Sequence, residues 1–447
     1  MDRKGPLKIA MVVLGCKTNQ SDAASLGAEL SAKGYSIVPF PQSADVTIIH
    51  TCTVTQKTDY QSRQLIRRVV SRNPNGQVIV TGCYAQVSPE SLQTIPGVDF
   101  IVGINERNKI PEIVSTAAKC HDVQVLCSPA EKQQGFEEWR LPLFSARTRA
   151  YLKVQDGCNS FCSYCIVPYA RGKNRSLPLE RVLSQARDLS EQRFKEVVLT
   201  GIHLGTYGED LLPSVSLLDL LQALEKDSLE FRLRLSSIEP GEFTPQLIDF
   251  LAGSRRICPH LHIPMQSGDD RILRRMNRNY SGAFFEDLVN RLIRSIQGLA
   301  IGLDVIGGFP GEDEQAFQNT MSLIEKLPLA YLHVFPFSRR KGTPAASFSG
   351  QVPSQVIRSR CQDLRELGQK KRNLFYQPFL GQRVKVLVES KRDRESGMLK
   401  GYSQNYLPLI FPGGDQLMNQ EVEIEVFEVR NGKVIGRARN SELEARS

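Results

Sequence analysis

No apolar run in the 447-residue chain approaches the roughly 18 residues of a membrane-spanning helix, so no membrane span is expected. No export leader is expected either. "MDRKGPLKIAMVVLGCKTNQ" has a basic flank, but its apolar stretch is too short and runs into Gly15–Cys16 rather than a small-residue cleavage site. That stretch is expected to be a first buried strand of a cytoplasmic protein. There are no low-complexity tracts either. What is present is ordinary globular composition, 41% hydrophobic and 23% charged, in a chain too long for one core. Two or three domains are expected. A net charge of +9 permits a polyanionic partner without proving one. Ten cysteines without an export signal argue against a disulfide framework and for metal or redox use.

Hydrophobic periodicity divides the chain into three, and the fold class is α/β. Residues 1–127 alternate buried-strand patterns ("LKIAMVVLGC", "ADVTIIHTCTV", "QVIVTGCYAQ") with helical ones, which predicts a parallel sheet. Residues 128–144, polar and aperiodic, are a linker. Residues 145–377 hold six strand-then-helix units, from "AYLKVQDGC" to "YLHVFPFS". These predict an open, partial (βα)6 version of the TIM-type barrel, with chemistry at the carboxyl ends of its strands. Residues 378–447 carry short alternating strands and an Asn-Gly turn at Asn431, which predict a small all-β barrel.

A fourth cysteine is what the central loop lacks. "QDGCNSFCSYCIVPYARG" holds Cys158, Cys162 and Cys165 as C-x3-C-x2-C, and no fourth follows nearby. Structural zinc and the usual iron–sulfur cluster both take four protein ligands. A four-iron cluster on three cysteines leaves one iron open to a small molecule, and S-adenosylmethionine is the cofactor used this way for radical chemistry. A zinc site with a distant fourth ligand is the alternative.

A second set of three is scattered. Cys16, Cys52 and Cys83 each end an apolar run and adjoin a polar turn. Strand carboxyl ends open on one edge of a parallel sheet, so the three can meet there and hold a second cluster. The plainer account is three buried cysteines. Cys120, Cys127, Cys258 and Cys361 have no such context.

The three-cysteine loop, with Tyr164 before its last cysteine, resembles the radical S-adenosylmethionine superfamily. The resemblance implies cofactor contacts at Gly201 in "LTGIHLG", Ser236 and Ser237 in "LSSIEP", and Gln266 in "HIPMQSGDD". Two three-cysteine sets plus a terminal small barrel resemble the methylthiotransferases over almost the whole chain. "LGCKTNQ", "NPNGQVIVTGCYAQVSP", "TGIHLGTYGED" and "HVFPFSRRKGTPAA" are most similar to the branch acting on threonylcarbamoylated adenosine in tRNA. The linker has Ala146 where that branch has Asp, a small departure.

This resemblance implies a terminal TRAM module and two 4Fe-4S clusters, on Cys158, Cys162, Cys165 and on Cys16, Cys52, Cys83. It implies methylthiolation of carbon 2 of N6-threonylcarbamoyladenosine at tRNA position 37, using two S-adenosylmethionine molecules. One is cleaved to a deoxyadenosyl radical and the other gives the methyl group. The partners implied are the tRNA anticodon loop, an electron donor such as flavodoxin or ferredoxin, and a sulfur donor. The alternatives are a ribosomal-protein aspartate, isopentenyladenosine in tRNA, or a zinc-dependent RNA-binding protein without catalysis.

Basic runs fit an RNA partner: Arg63, Arg67, Arg68 and Arg72 on one helix, then Arg171, Lys173, Arg175, Arg271, Arg274, Arg275 and Arg278. Each run is equally a solvated face. Arg171 and Arg275 are the sequence's candidates to pair with the threonylcarbamoyl carboxylate.

Overall fold

A computed structural model describes residues 5–133, 135–138, 148–430 and 432–438. The amino-terminal sheet has six parallel strands: β1 (Lys8–Val13), β2 (Ser36–Val38), β3 (Val46–Thr51), β4 (Gln77–Gly82), β5 (Phe100–Val102) and β6 (Gln124–Leu126). Every residue of β3 and β4 is buried, as in a parallel sheet covered on both faces, and the runs "VTII" and "VIV" show no polar alternation beyond Thr47. The strand order is β2-β1-β3-β4-β5-β6, so the winding direction reverses between β1 and β3. Open α/β sheets bind ligands outside the carboxyl ends at such a reversal. Cys16 follows β1 there, as the residue before helix α1 (Lys17–Ala32). Cys52 follows β3 directly. Helix α2 (Gln56–Arg72) comes next in the chain.

The barrel strands are β7 (Ala150–Lys153), β10 (Glu196–Thr200), β11 (Arg232–Leu235), β12 (His260–His262), β13 (Ala300–Gly307) and β14 (Tyr331–Pro336). A two-stranded ribbon, β8 (Gln155–Asp156) with β9 (Arg175–Ser176), flanks the cysteine loop. All six expected strands are present and parallel, in two three-stranded groups, β11-β10-β7 and β12-β13-β14. A bridge from Leu233 to Ile257 joins the groups, with Cys258 N–H donating to Leu233 O at 2.8 Å. One face of each strand enters the main core: Leu152, Val197, Leu199, Leu233, Leu261, Ile301 and Leu303 pack against the helices. Strand alternation therefore sends Glu196, Arg232, Arg234, His260, His262, Asp304 and His333 to the opposite face, the barrel lumen.

Strands β15 (Arg383–Val388), β16 (Leu399–Ser403), β17 (Pro408–Phe411), β18 (Glu421–Arg430) and β19 (Lys433–Ala438) form the expected closed barrel. Strands β18 and β19 pair to the end, Arg430 opposite Lys433. Asn431, where the turn is expected, lies outside the described residues, as does Ala146. This small barrel covers the amino-terminal end of the large one. Arg232 donates to Tyr402 O at 3.0 Å, Arg234 to Gln404 O at 2.9 Å, and the His260 ring sits 4.7 Å from that of Tyr406.

One carboxylate organises that junction. Glu196, fully buried, takes Arg149 (2.6 Å), Arg232 (2.7 Å) and Arg234 (2.9 Å). Burial alone raises its pKa; Arg234, Arg149 and Arg232 hold it well below the usual carboxylate range. A depressed folded pKa means the contribution is full at neutral pH and fades as pH falls below about 4. Glu196→Gln leaves three guanidiniums around a neutral amide. Removing one partner of a buried ion network costs about 3–5 kcal/mol, so the denaturant midpoint should drop accordingly. An unchanged midpoint at neutral pH would show that the network adds nothing.

Candidate active site

The sheet brings Cys16, Cys52 and Cys83 to one edge. Cys83 opens a short helix, α3 (Cys83–Val87), after Gly82. Gly82 has φ +96°, and a Cβ there would lie 2.4 Å from Thr51 O, so only glycine lets the Cys83 turn sit against the end of β3. Gly15 does the same for the other pair: its missing Cβ would stand 2.8 Å from Cys52 Sγ. Asn19 ties the edge together, donating to Leu14 O (2.8 Å) and Thr51 O (2.9 Å) and accepting a weak bond from Cys83 Sγ (4.0 Å). The Cys52 thiol is pushed up to about 12 by burial and by Cys83 beside it. Three thiols gathered at one sheet edge and forming no disulfide suit a shared metal group.

The second set lies in the loop after β8. Cys165 N–H donates to Cys162 O at 2.9 Å, and Ser160 N–H points at Cys158 Sγ at 3.4 Å. Two cations stand against the sulfurs: Arg278 Nη1, 3.4 Å from Cys162 Sγ, and the His203 ring, 3.5 Å from Cys158 Sγ. Burial opposes charge on His203, but its bonds to Cys158 and Glu242 bring it up to about 10. Burial likewise opposes the Cys158 thiolate, and His203 nevertheless draws that thiol below its usual range. Three thiols with N–H donors and cations aimed at sulfur fit an anionic iron–sulfur cluster. Neither cation is evident from sequence: His203 lies in the glycine turn, and Arg278 in a run resembling an RNA-facing surface.

The expected cofactor contacts fall into two linked groups. Gly201 N–H points at Ser236 Oγ at 3.4 Å. Ser237 Oγ bonds His262 Nδ1 at 2.8 Å, and His262 Nε2 reaches Asp304 at 3.1 Å. Asp304 in turn lines a cleft of about 160 Å³ with Tyr164, Gln266, Phe335 and, from the amino-terminal domain, Val54 and Thr55. Gln266 is held there at φ +65° by a bridge to Val305. His333 meets the same Asp304 oxygen at 3.2 Å. Ligand atoms of His262, Asp304 and His333 lie within 4.8 Å of one another, but that oxygen is already shared by both rings. The trio therefore acts as a polar wall.

Three family profiles match the chain: Uncharacterized protein family UPF0004 over residues 8–103, the Radical SAM superfamily over 152–324 and the TRAM domain over 377–438. Threonylcarbamoyladenosine tRNA methylthiotransferase MtaB of Bacillus subtilis is 39% identical, with 94% of each chain covered. Its namesake in Thermotoga maritima is 35% identical over 91% of each. The tRNA-2-methylthio-N(6)-dimethylallyladenosine synthase of Moorella thermoacetica is 31% identical over 93% of this chain and 95% of that one. The chain belongs to the radical S-adenosylmethionine methylthiotransferases. It is an enzyme of that family. A radical S-adenosylmethionine methyltransferase, TsrM, from Kitasatospora setae shares the fold: TM-score 0.57 at 14% identity over 76% of this chain and 77% of that one.

In this methylthiotransferase, Arg171 does not take the role foreseen for it. It is 1% exposed and donates to Asp156 (2.9 and 3.0 Å), Asn19 (2.7 Å) and Asp22 (3.0 Å). Arg275 is likewise committed, to Pro310 O and Ser349 O at 3.1 Å each and to the Phe348 face. Arg175 and Arg278 are buried too, whereas Arg67, Arg68, Arg72, Lys173, Arg271 and Arg274 stay exposed. Sequence gives the charge of these buried guanidiniums but not their carboxylate partners. Asp22, on α1, takes Arg171, Arg107 (2.6 Å) and Lys153, and so joins the two domains. Asp22→Asn should loosen that junction by about 3–5 kcal/mol. Limited proteolysis should then cut between the domains faster than in wild type; identical cutting rates would remove Asp22 from this role.

Proposed function

We propose that this enzyme methylthiolates carbon 2 of N6-threonylcarbamoyladenosine at position 37 of tRNA, in the cytoplasm, giving the 2-methylthio derivative. The observation carrying this choice of substrate is the gap in similarity. Relatives named for threonylcarbamoyladenosine are 34–39% identical, and those named for dimethylallyladenosine 31%. The aromatic hydrogen on carbon 2 is beyond any base at neutral pH, so acid–base catalysis is a poor candidate. Two 4Fe-4S clusters and two molecules of S-adenosylmethionine, when bound, supply the radical, the sulfur and the methyl group.

The chain's own residues hold and orient these groups. Cys158, Cys162 and Cys165 hold one cluster, with Arg278 and His203 offsetting its negative charge. Cys16, Cys52 and Cys83 hold the other. Tyr164, Gly201, Ser236, Ser237 and Gln266 contact S-adenosylmethionine, and two of these share the cleft under the amino-terminal domain. The TRAM barrel and the exposed arginines of α2 take the RNA backbone, which makes binding salt-sensitive. An electron donor such as flavodoxin or ferredoxin and a sulfur donor complete the reaction.

Two experiments test this reading. Purified enzyme should modify threonylcarbamoylated tRNA and leave the same transcript without that group untouched, as read by nucleoside mass spectrometry. Equal turnover of isopentenylated tRNA, or of a ribosomal protein, overturns the substrate. Replacing Cys16, Cys52 and Cys83 together by Ala should keep about half the iron and still cleave S-adenosylmethionine, yet yield no methylthio product. Product at the wild-type rate would reduce these cysteines to core residues.

A further inference from the structure

Strand β14 is the outer strand of its group, paired with β13 along one edge and with no strand along the other among the described residues. Tyr331, His333 and Phe335 alternate along it and so share the lumen face. On β10 and β11 every residue is buried, whereas His333 and Phe335 are exposed. Phe335 lines the cleft of Tyr164 and Gln266. Tyr331 and His333 line a second cleft, of about 270 Å³, toward the amino end of the same strand face. One open strand face therefore joins two cavities, with Phe335 and Tyr331 about 13 Å of strand apart.

The second cleft lies where three parts of the chain meet. Besides β14, the helix Ser354–Tyr376 gives Arg372 and Phe375 from its last turns, and the TRAM barrel gives Tyr402 and Tyr406. The Tyr402 and Tyr406 rings stack at 4.7 Å. The Arg149 guanidinium lies 5.1 Å from the Tyr402 ring and that of Arg234 4.8 Å from the Tyr406 ring. Ser403 N–H donates to Leu407 O at 3.1 Å and closes the turn that carries Tyr406. This wall is therefore built before any ligand arrives. Arg372 is half-buried and makes no hydrogen bond or ion pair with any described residue. No carboxylate of a described residue lines the cleft to neutralise it. Aromatic rings that receive a base, beside a free guanidinium that receives a phosphate, are the chemistry of single-stranded RNA recognition. The volume falls just under the roughly 300–1,000 Å³ of pockets for drug-sized ligands, which suits a single base.

We propose that this cleft is a nucleotide pocket: it takes one unstacked nucleotide of the anticodon loop, near the target adenosine, with the base among Tyr331, Phe375 and Tyr402 and a phosphate on Arg372. This rests on the tRNA reading above and adds where the loop is held. A loop can splay its bases outward, whereas a duplex keeps them stacked. The target base enters at the carboxyl-end cleft, and the strand between the two cavities passes over Phe335 and His333. Anchoring a second nucleotide fixes which base of the loop reaches the reacting groups.

The test uses the iron-loaded, full-length enzyme and anticodon stem-loop RNAs, each with a photoreactive thiobase at one loop position other than the target. Irradiation should join one of these positions to Tyr331, Phe375 or Tyr402, as read by peptide mass spectrometry. Crosslinks confined to other residues overturn the pocket. Binding of the unlabelled stem-loop is then measured by anisotropy across a salt series. Arg372→Gln should weaken it about tenfold and lower the slope of log Kd against log salt by about one, at wild-type iron content. Arg372→Lys keeps the charge and should keep the slope. A wild-type slope in Arg372→Gln overturns the phosphate contact. The crosslink needs no variant, so it decides alone if Arg372→Gln does not fold. Failure of the tRNA reading looks different: wild type would then bind the stem-loop no better than an unrelated hairpin. A wrong pocket leaves that specific binding intact, and only the crosslink and the slope change are missing.

Discussion

The buried carboxylate of Asp22 is the constraint on which the two-domain site depends. It lies on α1, five residues into the helix that Cys16 precedes, and it gathers Arg107 from its own domain with Lys153 and Arg171 from the barrel. Arg171 then reaches Asp156, two residues before Cys158, and Asn19, which bonds the end of β3 just before Cys52. One guanidinium thus touches the frames of both cysteine sets. Behind it, Ala170 and Cys83 share a small apolar cluster with Ile104. Buried ion pairs gain little net stability, because desolvation offsets attraction, but they are intolerant of misplacement. What this network supplies is registration of one domain on the other.

A second clip works from the far side. Arg340, in "SRRKGTPAA", bonds Asp59 at 2.6 Å and also Thr53, and Gln56 bonds Ser338 (3.0 Å) and Arg339 O (2.7 Å). Thr53 follows Cys52, so the loop carrying that cysteine is fixed by the barrel as well as by its own sheet. The two domains therefore close on the lumen from two sides, while the TRAM barrel blocks its floor. A ligand has the carboxyl-end opening left, where the cleft with Tyr164 and Gln266 lies.

Much of this was legible in the sequence, because its signals were local. Six strand-then-helix units, the terminal barrel and the strand-end cysteines all follow from periodicity and from where apolar runs stop. The topology then adds what periodicity cannot: β1 and β3 are adjacent with the winding reversed between them, and that is why Cys16 and Cys52 meet. The arginines were not legible. A guanidinium meant for RNA and one meant for a buried aspartate have the same letter, and Asp22 lies 149 residues from Arg171. No window on the chain connects them.

The barrel lumen is polar, and polar interiors are stable only when their groups are paired. This one obeys that rule at its floor, where Glu196 meets three arginines, and in its wall, where Asp304 meets two histidines. At the sheet edge beside it, Cys16 is exposed while Cys52 and Cys83 are buried, so that thiol is the one of the three most open to a ligand.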